Sequence, residues 1–147
     1  MSPRLTMSAA AYKGIFATEK YLDESALPHT VLELVKIRAS QINGCGYCVD
    51  MHSRDAKKAG ETDERLFTVA AWRETEYFTD AERAALTLTE AVTRMADTPD
   101  PVPDDVWNEA ARHFDEESLS ALVLTIAQIN LLNRIAVPLH KTAGGDA

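Results

Sequence analysis

Cysteine is scarce in this sequence of 147 residues, which contains only Cys45 and Cys48. A small scaffold stapled by several disulfides is therefore excluded, and the length suffices for a core without crosslinks. Glycine and proline number six each, too few for a collagen-like or disordered chain. Positive charge is in the minority: 15 Lys and Arg stand against 23 Asp and Glu, a formal net charge of −8. That balance repels phosphate backbones and anionic lipid surfaces, so neither nucleic acid nor a membrane is expected as a partner. Long apolar runs are missing too. The most apolar stretch, Leu119 to Val137, is broken by Gln128, Asn130, Asn133 and Arg134, short of the roughly 20 apolar residues that a bilayer span requires. Met1 to Ala11 carries one Arg and no apolar segment of the secretory kind, which predicts a cytoplasmic protein.

What is present is a globular balance, 46% hydrophobic and 26% charged, predicting a single domain over residues 1–147. Apolar spacing near the helical period predicts helices over residues 8–22, 30–43, 45–59, 62–72, 79–96, 103–113 and 116–140, and no segment alternates like a strand. Thr30-x-x-Glu33 and Thr79-x-x-Glu82 both read as capping boxes at helix starts. Gly60, after Lys57 and Lys58, marks a helix end. Asp97 to Asp105, with Pro99, Pro101 and Pro103, suits a loop between packed helices. The helix from Leu119 onward is apolar on nearly all sides, which predicts burial on more than one face, inside the core or against a second subunit. The fold class expected is an all-α bundle of six to seven helices.

The stretch Asn43 to His52 carries the chemistry. It contains a break at Gly44, then Cys45-Gly46-Tyr47-Cys48, then His52 four residues beyond. On a helix these three side chains form one stripe, with His52 about 6 Å below Cys48 and about 10 Å below Cys45. A reversal near Gly44 would fold residues 30–43 back on 45–59 as a helical hairpin and bring Glu33 within about one turn of His52. His52 could then accept the proton of Cys48, and Glu33 could orient His52.

The need for such a base is quantitative. A free thiol with a pKa of about 8.5 is only about 3% thiolate at pH 7, and lowering the pKa to about 6 requires roughly 3.4 kcal/mol. A helix N-terminus supplies about 0.3–1 kcal/mol. If peroxide oxidises Cys48 to a sulfenic acid, Cys45 is placed to condense with it.

The same residues admit plainer readings. The capping box with Thr30 explains Glu33 without catalysis. Zinc would require Cys45, Cys48, His52 and a fourth ligand such as Glu33, an uncommon set. A thioredoxin fold would place the pair after a strand, where this sequence has helix. His29, His113 and His140 have no comparable company and read as structural. Asn130, Asn133 and Arg134 are expected to satisfy backbone groups or one another in a buried network.

At these residues the sequence resembles the alkylhydroperoxidase D-like branch of the carboxymuconolactone decarboxylase family, whose signature is Glu, eleven residues, Cys-x-x-Cys, three residues, His. Glu33, Cys45, Cys48 and His52 match it, and so do Ser40 to Cys45, Met51-His52, Ala70-Ala71-Trp72-Arg73 and Asn130-x-x-Asn133-Arg134. The likeness covers about residues 12–140. It implies an all-helical fold assembled as trimers or hexamers, and a thiol peroxidase that reduces hydroperoxides without flavin, haem or metal. Cys48 resembles the attacking cysteine, Cys45 the resolving one, and His52 with Glu33 the proton relay; the reductant in such proteins is a dihydrolipoyl protein or another thiol. Two features depart from the pattern. The chain is shorter than the two-repeat peroxidases, and Tyr47 stands where some relatives carry histidine. The family also includes decarboxylases that generally lack a cysteine pair, for which Glu33 and His52 would serve as acid and base.

Overall fold

The computed structural model describes residues 2–144, so the extreme ends of the expected domain lie outside the described residues. Seven α-helices follow one another: α1 (Ala9–Asp23), α2 (His29–Asn43), α3 (Gly46–Lys58), α4 (Asp63–Thr68), α5 (Asp80–Thr93), α6 (Asp104–His113) and α7 (Glu116–Ala136). No strand occurs among the described residues, as the all-α reading expects.

The centre of the bundle is α2. Every residue from Val31 to Ile37 is buried, because α3, α5 and α7 close around it. One face meets Leu22, Leu88, Leu122 and Ile126, and the other meets Ala56, Val69, Trp72, Phe78 and Leu86. A helix buried on all sides must satisfy whatever charge it carries. Lys36 does so through Glu19 on α1, at 3.1 Å. Glu33 faces α3.

The sequence leaves α7 either inside the core or against a second subunit, and within the single chain it is buried along one side. Leu119, Leu122, Ile126 and Ile129 of α7 are buried, whereas Val123, Leu124 and Leu131 are exposed along its other side. By length and composition alone α7 matches a membrane-crossing helix, with half of that apolar window buried against the bundle. Its regular helix ends at Ala136, yet the chain keeps a helical path through turns to His140. There the Lys141 N–H donates to the Ala136 carbonyl, the His140 N–H to the Val137 carbonyl, and His140 takes a left-handed φ of 56°.

Two boundary expectations change for local reasons. The capping box at Thr30 does not form: Pro28 occupies the cap, His29 is the first helical residue, and no side chain caps the helix. Thr30 thus lies inside the first turn and Glu33 is released to face α3. By contrast, Thr79 and Glu82 form the expected reciprocal box. The predicted helix over 62–72 breaks into α4 and a 3-10 segment, Val69–Glu74, with Ala71 in a non-helical conformation. The break turns Val69 and Trp72 into the core, where the indole N–H donates to Glu90 at 3.0 Å.

Candidate active site

The hairpin of α2 and α3 is built by one glycine. Gly44 has φ 69°, and the chain closes α2 in a Schellman arrangement: the Cys45 N–H donates to the Ser40 carbonyl at 2.9 Å and the Gly44 N–H to the Gln41 carbonyl at 3.3 Å. Cys45 is at once the residue that ends α2 and the cap that begins α3. Its sulfur accepts from the Cys48 N–H at 3.3 Å. Cys48 lies in the first turn of α3, where the helix dipole favours negative charge.

Cys45 and Cys48 are joined as a disulfide, with their Cα atoms 5.3 Å apart. Both are buried and pack against Ala136 of α7. One turn along α3, on the same face as Cys48, His52 is also buried. Its Nδ1 lies 3.4 Å from Glu33 Oε2 across the hairpin. Neither ring nitrogen of His52 has a hydrogen-bond partner among the described residues. The two groups thus touch without an aligned hydrogen bond. All four residues singled out by spacing, Glu33, Cys45, Cys48 and His52, come together at this hairpin.

Burial by itself would raise the Glu33 carboxyl. The contact with His52 and the fields of Lys36 and His29 outweigh that effect and hold it below the ordinary carboxylate value. Glu33 is therefore anionic at neutral pH, available to stabilise a charged imidazole. Among the described residues no three His, Cys, Asp or Glu side chains are grouped as a metal ion would require.

A second polar cluster secures the end of α2 beside the sulfurs. The Asn43 side-chain amide donates to Asn130 and Asn133 at 2.9 Å each, Asn133 donates to Ser40 at 3.0 Å, and Asn130 donates to Thr93 at 3.1 Å. Arg134 donates to the Asn130 side chain at 2.8 Å. The expected network exists, but of Asn130, Asn133 and Arg134 only Asn133 is buried and Arg134 is exposed; it clamps the residues just before Cys45 onto α7 and α5.

Several expectations were incomplete. His113 pairs with Glu109 at 3.0 Å and His140 supplies a turn, both structural as anticipated. His29 does not stand alone: its Nε2 lies 3.7 Å from Glu33 Oε1. The spacing of His29 and Glu33, four apart on one helix, is the signal that could have revealed the contact. Glu90, which no local sequence signal marks, gathers Arg38, Trp72, Arg73 and Arg94 around one buried carboxylate.

Residues 8–91, more than half of the chain, match the carboxymuconolactone decarboxylase family. The chain belongs to that family. It is 40% identical to the uncharacterized protein YdfG of Bacillus subtilis, over 97% of this chain and 98% of that one. It is 36% identical to the uncharacterized protein YnjA of Escherichia coli, covering 82% of this chain and 65% of that longer relative. Among solved structures, a protein of unknown function from Agrobacterium tumefaciens, to which an antioxidant-defence role of the AhpD kind has been ascribed, superposes with a TM-score of 0.92 at 35% identity. That match covers 99% of this chain and all of the other, so the carboxymuconolactone decarboxylase family member described here has an AhpD-like fold throughout.

Proposed function

We propose that this protein is a thiol peroxidase that reduces hydroperoxides by cycling Cys45 and Cys48 between dithiol and disulfide, with His52 and Glu33 moving the proton. The observation that carries this reading is the joined sulfur pair lying one helical turn from a buried imidazole whose other side meets a carboxylate at 3.4 Å.

In the reduced protein His52 takes the Cys48 proton. The Cys48 thiolate attacks one peroxide oxygen, the O–O bond breaks, and the leaving alkoxide recovers a proton from His52. Cys48 is then a sulfenic acid. Cys45 attacks its sulfur, the S–S bond forms, and water leaves. A dithiol of the dihydrolipoyl kind returns two electrons to the pair, and two protons complete the dithiol. Exposed apolar side chains on α7 (Val123, Leu124 and Leu131) support the homo-oligomer that the family resemblance implies.

Substitution Cys48→Ser abolishes peroxide consumption in an assay supplied with dithiothreitol. Without added thiol, Cys45→Ser permits one turnover and leaves a sulfenic acid that dimedone traps. Full turnover by Cys48→Ser would overturn the reading. It would direct attention instead to the cysteine-free acid–base chemistry that Glu33 and His52 alone could support.

A further inference from the structure

The two oxygens of Glu33 face two different histidines. Oε2 lies 3.4 Å from His52 Nδ1 inside the hairpin, and Oε1 lies 3.7 Å from His29 Nε2 at the start of α2. Exposure falls along that line: the His29 side chain is 54% exposed, those of Glu33 and His52 8% and 7%. On the outer side His29 and Glu33 share a cavity of about 380 Å³ with Gly60, Glu61, Arg65 and Glu82. At about 30 Å³ per molecule of liquid, that volume holds several waters.

The other charged groups around Glu33 are already committed. Lys36 is held by Glu19 at 3.1 Å, and Arg65 lies between Glu61 and Glu82 at 2.7 and 2.8 Å. His29 has no charged partner besides Glu33 among the described residues.

We infer that His29 is the solvent end of the proton relay, carrying protons between the water-accessible cavity and Glu33, and so to His52 and the sulfurs. This rests on the reading of Cys45 and Cys48 as a cycling pair. When a dithiol opens the disulfide, its thiolate bonds to one protein sulfur, the S–S bond breaks, and the other sulfur leaves as a thiolate. A second attack releases the oxidised reductant and frees the remaining sulfur. Two electrons have moved to the protein, while the reductant's two protons have gone to water. The receiving sulfurs are buried, so those protons must be carried in. A proton passing from His29 Nε2 through cavity water to Glu33, and from Glu33 to His52 Nδ1, leaves His52 Nε2 to protonate sulfur, and exchange of the His52 tautomer readies the ring for the second proton. His29 acts through Glu33 and touches no reacting atom.

The test separates the two halves of the cycle in His29→Ala and wild-type protein, in weak buffer and with rising imidazole. One half is disulfide reduction by dithiothreitol, and the other is reoxidation by hydrogen peroxide. His29→Ala is expected to slow reduction by about tenfold or more, with an unchanged melting temperature, and added imidazole restores the rate while leaving wild type unaffected. Reduction at the wild-type rate in weak buffer, or slow reduction that imidazole does not accelerate, would overturn the inference. If the wild-type disulfide opens with dithiothreitol but peroxide does not re-form it, the peroxidase reading fails, and the reduction arm still decides the role of His29.

Discussion

Glu33 on α2 and His52 on α3 meet at 3.4 Å in a setting where both side chains are less than one-tenth exposed. Neither would remain there at small cost unless the other did. A buried carboxylate is costly without a positive or polar partner, and an imidazole with two unpartnered nitrogens is costly in any state. The contact therefore couples hairpin geometry to proton chemistry.

Glu33→Gln separates these roles. The amide keeps the shape and removes the charge, and because the attractions on Glu33 outweigh its burial penalty, stability is expected to fall, by about 1–3 kcal/mol. Peroxide turnover is expected to fall by about tenfold or more, because His52 loses the carboxylate that faces its Nδ1. Steady-state assays beside urea denaturation check both. Equal losses of activity and fold would mean that Glu33 is purely structural.

Acid sensitivity follows from the carboxylates held low. Burial would raise Glu90, but Arg73, Trp72 and Arg38 outweigh it and bring it below the ordinary value, in parallel with Glu33. A group depressed in the folded state binds protons more weakly there than in the unfolded chain. Its contribution is complete above the unfolded value of about 4.5 and is lost as pH falls through the lower folded value. Unfolding free energy measured by urea titration should stay level down to about pH 5 in these terms and decline below it. Glu33→Gln should soften that decline, and an unchanged acid slope in the variant would contradict the assignment.

Asn133 is fully buried and joins Asn43 to Ser40. Asn133→Ala leaves the buried Ser40 hydroxyl without its partner, while the partly buried Asn43 amide keeps Asn130. A loss of about 1–3 kcal/mol by chemical unfolding is expected, with alkylation of the reduced cysteines becoming faster as the end of α2 loosens. A loss below about 0.5 kcal/mol, the range of ordinary surface changes, would show that the clamp is unimportant.

Much of the fold was legible because its signals are local. Thr79 and Glu82 marked a helix start, Gly44 marked a reversal, and the spacing of Glu33, Cys45, Cys48 and His52 placed four side chains on facing helices. Thr30 and Glu33 misled for an equally local reason: Pro28 shifts the start of α2, so a capping pattern becomes an inward-facing carboxylate. Other features depend on partners distant in the chain. The central place of α2 follows from three helices closing on it, which no window of its own residues reveals. The break after Thr68 is set by the space that receives Val69 and Trp72. The meeting of His29 with Glu33 matters only once His52 occupies the carboxylate's other side.

The central claim is that Cys45 and Cys48 exchange a disulfide for thiols at the expense of peroxide. Mass spectrometry of alkylated protein tests it directly: the protein is reduced, freed of reductant, given one equivalent of hydrogen peroxide, and alkylated under denaturing conditions. Two alkyl groups before peroxide and none after it, with an intramolecular link between Cys45 and Cys48, is the predicted result. Two alkyl groups both before and after would contradict the account.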